Sequence, residues 1–190
     1  MILEERVKSR SFFFKDTHRS YMKTINVLAT LLIIFLLMSI GVFYFSKNKN
    51  SASSGIQRTF AIIKPDAVAA GNAEDIIKQI EMNGFKIIAQ KQLTIDKATA
   101  EQFYAVHKER PFFNDLITYI TSGPAIVLVL ERDNAVQVWR NLMGSTDPQK
   151  ADPGTVRQLY GTNIQNNAVH GSDSIQSAQQ EIKIFFPELH

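Results

Sequence analysis

The chain has 190 residues, 45% apolar and 21% charged, with Gly 9 and Pro 6, a globular composition that excludes collagen-like, low-complexity and wholly disordered chains. It has no cysteine, which excludes disulfide frameworks, Cys-ligated zinc, iron–sulfur clusters and cysteine nucleophiles. The net charge of +3 is uneven: residues 1–50 carry 8 basic against 3 acidic side chains, which leaves 13 against 15 in residues 51–190 and disfavours a basic nucleic-acid-binding domain.

From Ile25 to Phe45 run 21 residues without a charge. As a helix this stretch would be about 31 Å long, close to the hydrocarbon thickness of a bilayer. Lys23 precedes it, Lys47 and Lys49 follow it, and Phe43, Tyr44 and Phe45 form an aromatic cluster at one end. The pattern predicts a basic leader over residues 1–24, a transmembrane helix over 25–45 and a flexible polar linker over 46–55. A secretory signal peptide is the competing reading, although leader and apolar stretch are long for one and Ser51-Ala52-Ser53-Ser54 is only weakly compatible with cleavage. Translation from a codon upstream of the true start is another. Four Lys/Arg in residues 10–24 against three in 46–60 leave the orientation poorly fixed.

The folded domain is expected over residues 56–190. Arg58–Ile63 reads as a strand that stops at Lys64-Pro65-Asp66, where Pro65 removes a donor and holds Lys64 extended. Ala73–Asn83 places Ile76, Ile77 and Ile80 on one helical face, with Gly84 at C′. Phe85–Leu93 is a second strand, and Lys97–His107 a helix capped by Asp96. A short helix over Asn114–Thr121 ends before Ser122-Gly123-Pro124, and Ala125–Leu130 is apolar enough for a central strand. Asn134–Met143 is helical up to Gly144. Ser145–Asn167 has little periodicity and reads as a long functional loop, and Ser174–Phe186 is the last helix. Strands alternating with helices imply an α+β or α/β sandwich with helices on one face of the sheet.

Neither GxxxxGK[ST], GxGxxG, HExxH nor an EF-hand loop occurs. Of the four histidines, His18 lies in the basic leader, His190 is terminal, and His107 ends a helix, where a cation suits the dipole. His170 lies in Asn167-Ala168-Val169-His170-Gly171-Ser172-Asp173, at the end of the long loop and before a helix, with Gly171 permitting unusual backbone geometry beside it. A nucleophilic histidine and a satisfied loop histidine both fit that setting.

Two stretches, Arg58-Thr59-Phe60-Ala61-Ile62-Ile63-Lys64-Pro65-Asp66-Ala67-Val68 and Asn167 to Asp173, resemble the nucleoside diphosphate kinase family. Arg110-Pro111-Phe112-Phe113, Thr121-Ser122-Gly123-Pro124, Leu142 to Pro148 and Ala151 to Thr155 match it in the same order, so the resemblance covers residues 56–189. It implies a ferredoxin-like α/β sandwich of α+β class, with a four-stranded antiparallel sheet covered by helices. It also implies an enzyme that moves the γ-phosphoryl of a nucleoside triphosphate, mainly ATP, to a nucleoside diphosphate through a phosphohistidine, by a ping-pong mechanism.

The resemblance carries roles onto matching positions. His170 matches the phosphorylated histidine, Glu181 the acceptor that holds its other ring nitrogen, and Ser172 a support for Glu181. Lys64 matches the lysine that meets the transferring phosphoryl, and Tyr104 the tyrosine assisting there. Arg140, Thr146 and Arg157 match the phosphate grip, a task for which guanidinium forks suit phosphate oxygens. Asn167, with Lys64, matches the group reading the sugar hydroxyls. Phe112 matches the aromatic on which the base stacks and Ile164 the opposite wall, whereas Phe113 reads as core; stacking accepts any base. Mg2+ is implied on the nucleotide phosphates, with no protein carboxylate cage and no metal-ligand residues.

Gln158-Leu159-Tyr160 and Asn166 depart from residues common in the family, and the chain lacks the longer C-terminal tail of some relatives, which leaves tetramer and hexamer open for the implied homo-oligomer. The kinase domain is expected in the cytoplasm, anchored to a membrane through residues 25–45, with nucleoside tri- and diphosphates as partners and no nucleic acid. A membrane-anchored scaffold that has lost turnover is the rival reading, and the intact set of matched residues argues against it.

Overall fold

The computed structural model describes residues 55–189. The expected leader (1–24), transmembrane helix (25–45) and most of the expected linker (46–55) lie outside the described residues. Among the described residues, no helix is long and apolar enough to cross a membrane.

Four strands form one antiparallel sheet: β1 (Ile56–Ile63), β2 (Lys86–Leu93), β3 (Ala125–Asp133) and β4 (Val169–Gly171), in the order β2-β3-β1-β4. The helices are α1 (Pro65–Ala69), α2 (Ala73–Met82), α3 (Lys97–Phe103), α4 (Phe113–Ile120), α5 (Ala135–Met143), α6 (Val156–Tyr160) and α7 (Ile175–Phe185). Single 3-10 turns follow at Ala105–His107 and Pro148–Lys150. Gly84 ends α2 at φ +77°, a conformation open to a residue without Cβ, and Asp96 caps α3 by accepting from the Thr99 amide at 2.9 Å.

The expected one-sided sheet is corrected. Helices cover both faces, because the central strands are apolar on both sides. Ala61 and Ile63 of β1 and Ile126, Leu128 and Leu130 of β3 pack with α1, α2, α5 and α6 residues around Ile76, Ile80, Trp139 and Val156. On the other face, Phe60 and Ile62 with Val127 and Val129 pack against Ala100, Ile117, Ile182 and Phe185 of α3, α4 and α7. A strand buried on both sides reads as a continuous apolar run rather than an alternating one, which is what Phe60–Ile63 and Ala125–Leu130 show. The β2 edge, by contrast, is half-buried at best along its length.

Three further differences concern short elements. The helix expected over Lys97–His107 ends at Phe103, and a 3-10 turn carries His107. The expected loop 145–167 contains the 3-10 turn at Pro148 and α6. His170 stands in the middle of a three-residue strand rather than in a loop.

Candidate active site

Where β1 leaves the sheet, Lys64 is extended (φ −77°, ψ 164°) and Pro65 opens α1, as the fixed ring geometry at the first helical position favours. The turn directs the lysine inward, and only 7% of it is exposed. Its amide donates to Ala168 O at 2.8 Å and its Nζ donates to Asn167 Oδ1 at 2.5 Å. Burial lowers its pKa to about 8; the Arg157 charge acts in the same direction and Asp66 opposes both.

β4 is held against β1 in a register that sets Ile62 opposite His170 and Ala61 opposite Gly171. Gly171 is needed for closeness rather than for the unusual backbone expected from the sequence. It has no positive φ, and an added Cβ would lie 2.4 Å from Trp139 Cδ1 and Nε1. The indole packed there donates to His170 O at 3.2 Å.

The imidazole is held through one nitrogen. His170 Nε2 lies 3.2 Å from Glu181 Oε2, and Ser172 Oγ donates to the same carboxylate oxygen at 2.7 Å. The Phe60 amide in turn donates to Ser172 Oγ at 3.1 Å. With Nε2–H given to the carboxylate, Nδ1 keeps its lone pair, and it has no hydrogen bond among the described residues. Phe103 meets the ring edge-on with centroids 5.0 Å apart, and Tyr104 lies at 6.5 Å. Burial, and then the Glu181 charge, raise the Tyr104 pKa, so its hydroxyl stays protonated through the neutral range.

Two guanidinium groups stand nearby. Arg157 on α6 donates from Nη1 to Gly144 O at 2.9 Å and from Nη2 to Val169 O at 3.1 Å, which leaves its buried Nε without a partner. Burial lowers its pKa to about 10, Arg140 adds to that, and Asp173 opposes it. Arg140 on α5 forms an ion pair with Asp173. Asn167 Nδ2 donates to the backbone oxygen of Thr146 at 2.9 Å, while the Thr146 side chain stays exposed. Phe112 and Ile164 are 50% and 64% exposed. Gln165 Nε2 donates to Asp115 O at 3.4 Å and so ties the segment carrying Ile164 to the start of α4, where Phe112 sits. Phe113 packs against the core, as expected.

The structure therefore joins Lys64 to Asn167, Asn167 to Thr146, and His170 to Glu181 and Ser172, with Arg157 reaching the backbone of β4. It also adds residues that sequence reasoning passed over. Asp66 accepts from Tyr119 and from the Ala168 amide, Asp173 occupies Arg140, and Trp139, Phe60 and Phe103 seat the histidine. Asp66, Phe60 and Asp173 lie inside the stretches that carry the resemblance, whereas Trp139 and Phe103 meet the site through chain separations that no short window spans. Three cations, two of them with lowered pKa values, form a setting that a polyanion would relieve, next to an imidazole with one nitrogen free.

The family model described as nucleoside diphosphate kinase matches residues 57–190. The nucleoside diphosphate kinase of Nitratiruptor sp. is 54% identical over 133 residues, covering 70% of this chain and 97% of that protein. That of Geobacter sulfurreducens is 50% identical over 134 residues, covering 70% and 98%. Among solved structures, the nucleoside diphosphate kinase of Aquifex aeolicus superposes with a TM-score of 0.68 at 39% identity, over 70% of this chain and 96% of its own. The halophilic nucleoside diphosphate kinase of Halobacterium salinarum, solved in complex with CDP, gives 0.68 at 40% identity, over 70% and 88%.

Proposed function

The chain belongs to the nucleoside diphosphate kinase family and is a phosphotransferase of that kind, and from this premise we propose that His170 carries the phosphoryl group between two nucleotides bound in turn. The observation that supports this most directly is the Nε2–Glu181–Ser172 chain, which leaves Nδ1 as the basic nitrogen. In the first half-reaction the Nδ1 lone pair attacks the γ-phosphorus of a nucleoside triphosphate, mainly ATP. The bond from that phosphorus to its bridging oxygen breaks, and the diphosphate leaves with the electron pair on its terminal oxygen. In the second, a β-phosphate oxygen of another nucleoside diphosphate attacks, the P–N bond breaks, and its electron pair returns to Nδ1. Nε2 keeps its own proton throughout, donated as a hydrogen bond to the Glu181 carboxylate, so neither half-reaction needs an external base.

Lys64 stabilises charge on the equatorial phosphoryl oxygens, a kind of contact worth about 10²–10³ in rate. Tyr104, kept protonated, donates at the same place. Arg140, Arg157 and Thr146 hold the phosphates, Asn167 and Lys64 meet the sugar hydroxyls, and the base lies between Phe112 and Ile164. Among the described residues no three His, Cys, Asp or Glu side chains gather as a metal site. An Mg2+ carried by the nucleotide phosphates and water would offset phosphate charge beside Arg140, Arg157 and Thr146, which grip the same phosphates.

Incubating the full-length protein with γ-labelled ATP tests this. Label should stay on the protein in base and leave in acid, and His170→Ala should carry none. Unlabelled protein, or equal labelling of the variant, would sink the histidine reading.

We further propose that residues 25–45 anchor the chain in a membrane, with residues 56–190 as a kinase domain facing the cytoplasm, where ATP is abundant. The charge-free stretch and its lysine flanks support this. A homo-oligomer, tetramer or hexamer, is proposed from family membership and is tested by light scattering of the purified protein.

A further inference from the structure

Asp66 links the two segments that carry the reacting groups. Its Oδ1 accepts from the Tyr119 hydroxyl at 2.6 Å, and its Oδ2 from the Ala168 amide at 3.1 Å. Ala168 is fully buried with φ at +66°. A residue with a Cβ keeps that left-handed conformation only where its surroundings over-determine it. Here both peptide groups of Ala168 are gripped from the Lys64–Asp66 turn: the carboxylate takes its N–H, and the Lys64 amide donates to its carbonyl at 2.8 Å. Immediately before it stands Asn167, which accepts from Lys64 Nζ, and two residues after it stands His170.

We propose that Asp66 is a positioning residue of the reaction: clamped by Tyr119, it fixes the Asn167–Ala168 bend against Lys64 and supplies the negative charge that keeps the Lys64 ammonium protonated. The inference rests on the reading of Lys64 as the group that meets the phosphoryl. The charges around that ammonium come from several elements. Asp66 faces it from α1 and Arg157 repels it from α6. Tyr119 of α4 brings its ring to 5.7 Å from Nζ and stays neutral, since burial and its bond to Asp66 raise its pKa. Asn167 is uncharged. Asp66 thus opposes both burial and Arg157, which pull the Lys64 proton away.

Full-length Asp66→Asn keeps the shape and one acceptor oxygen but removes the charge. The basic limb of its kcat/KM profile, which reports the free enzyme, should move to lower pH by roughly half to one unit. At about pH 8.5 that means a roughly three- to tenfold lower kcat/KM than the parent protein, with little change near pH 6. Tyr119→Phe retains both charges and should leave the limb in place. An Asp66→Asn limb that superimposes on the parent's, or an equal shift in Tyr119→Phe, overturns the proposal. If Asp66→Asn does not fold, 13C NMR of the unsubstituted protein decides: the Asp66 carboxyl carbon should show an inflection where Lys64 titrates, and a flat signal there overturns the proposal. Failure here is separable from failure of the histidine reading, because labelling of the protein by ATP does not depend on where the limb falls.

Discussion

Lys64 holds its proton only up to about pH 8 instead of 10.5, because it is buried and stands beside Arg157. The unfolded chain therefore binds a proton that the folded one releases between those values, so stability rises with pH across that window. Below it, the charged and buried lysine costs up to about 3 kcal/mol. Lys64→Met should accordingly raise stability in urea by about 1–3 kcal/mol near pH 7, with the gain fading towards pH 10, while lowering turnover by about 10²–10³. A variant equally stable or weaker at neutral pH would contradict that account of the lysine. Asp173 presents the opposite case. It occupies Arg140 in a largely exposed ion pair and would compete with phosphate in the proposed role of that arginine, while such pairs add only about 0–1 kcal/mol to stability. Asp173→Ala should lower the KM for nucleotide a few-fold at low salt and leave the unfolding midpoint almost unchanged. A raised KM would mean that the carboxylate orients the arginine instead. At this scale the motifs made most residues of the candidate site legible as a group that the fold brings together. Tyr119 and Trp139 were not, because each meets the site only through partners 53 and 31 positions away.

The elements that position these residues are the short ones. β4 has three residues and α1 and α6 five each, too few to show a period, so the sequence reads them as turn and loop. Long elements with an apolar stripe, such as α2, α5 and α7, appear within a residue or two of expectation. The strand β4 survives at that length because β1 pairs with it on one side and Trp139 closes over Gly171. Gly171→Ala would press a methyl group into the indole, and the hydrogen bond from Trp139 to the His170 carbonyl leaves little room to yield. We expect a loss of about 2–3 kcal/mol, together with slower phosphorylation of His170 as the strand shifts. Thermal unfolding followed by the fluorescence of Trp139, the chain's single tryptophan, measures the first, and the labelling rate the second. Unchanged stability would mean that the indole has space to move.

For the whole molecule, the first 56 residues stand outside the family match, and their apolar composition predicts behaviour that relatives of domain length do not address. The full chain should sediment with membranes and resist extraction by salt, whereas a chain lacking residues 25–45 should be soluble and retain kinase activity. A full chain that remains in the supernatant would refute the anchor. In the domain itself, apolar runs indicated from sequence alone that a sheet would form with Ala125–Leu130 at its centre, and helical spacing placed Ile76 and Ile80 on the buried face of α2, whereas Ile175, expected on the inner stripe of α7, is exposed. Resemblance identified the chemistry. Neither determined that helices cover both faces of the sheet, since the periodicity of a fully buried strand does not tell one side from the other. Nor did they reveal that Asp66, Ala168 and Tyr119 meet beside Lys64. That convergence depends on the register of β4 against β1 and on burial, both of which exist only once distant segments pack and exclude water.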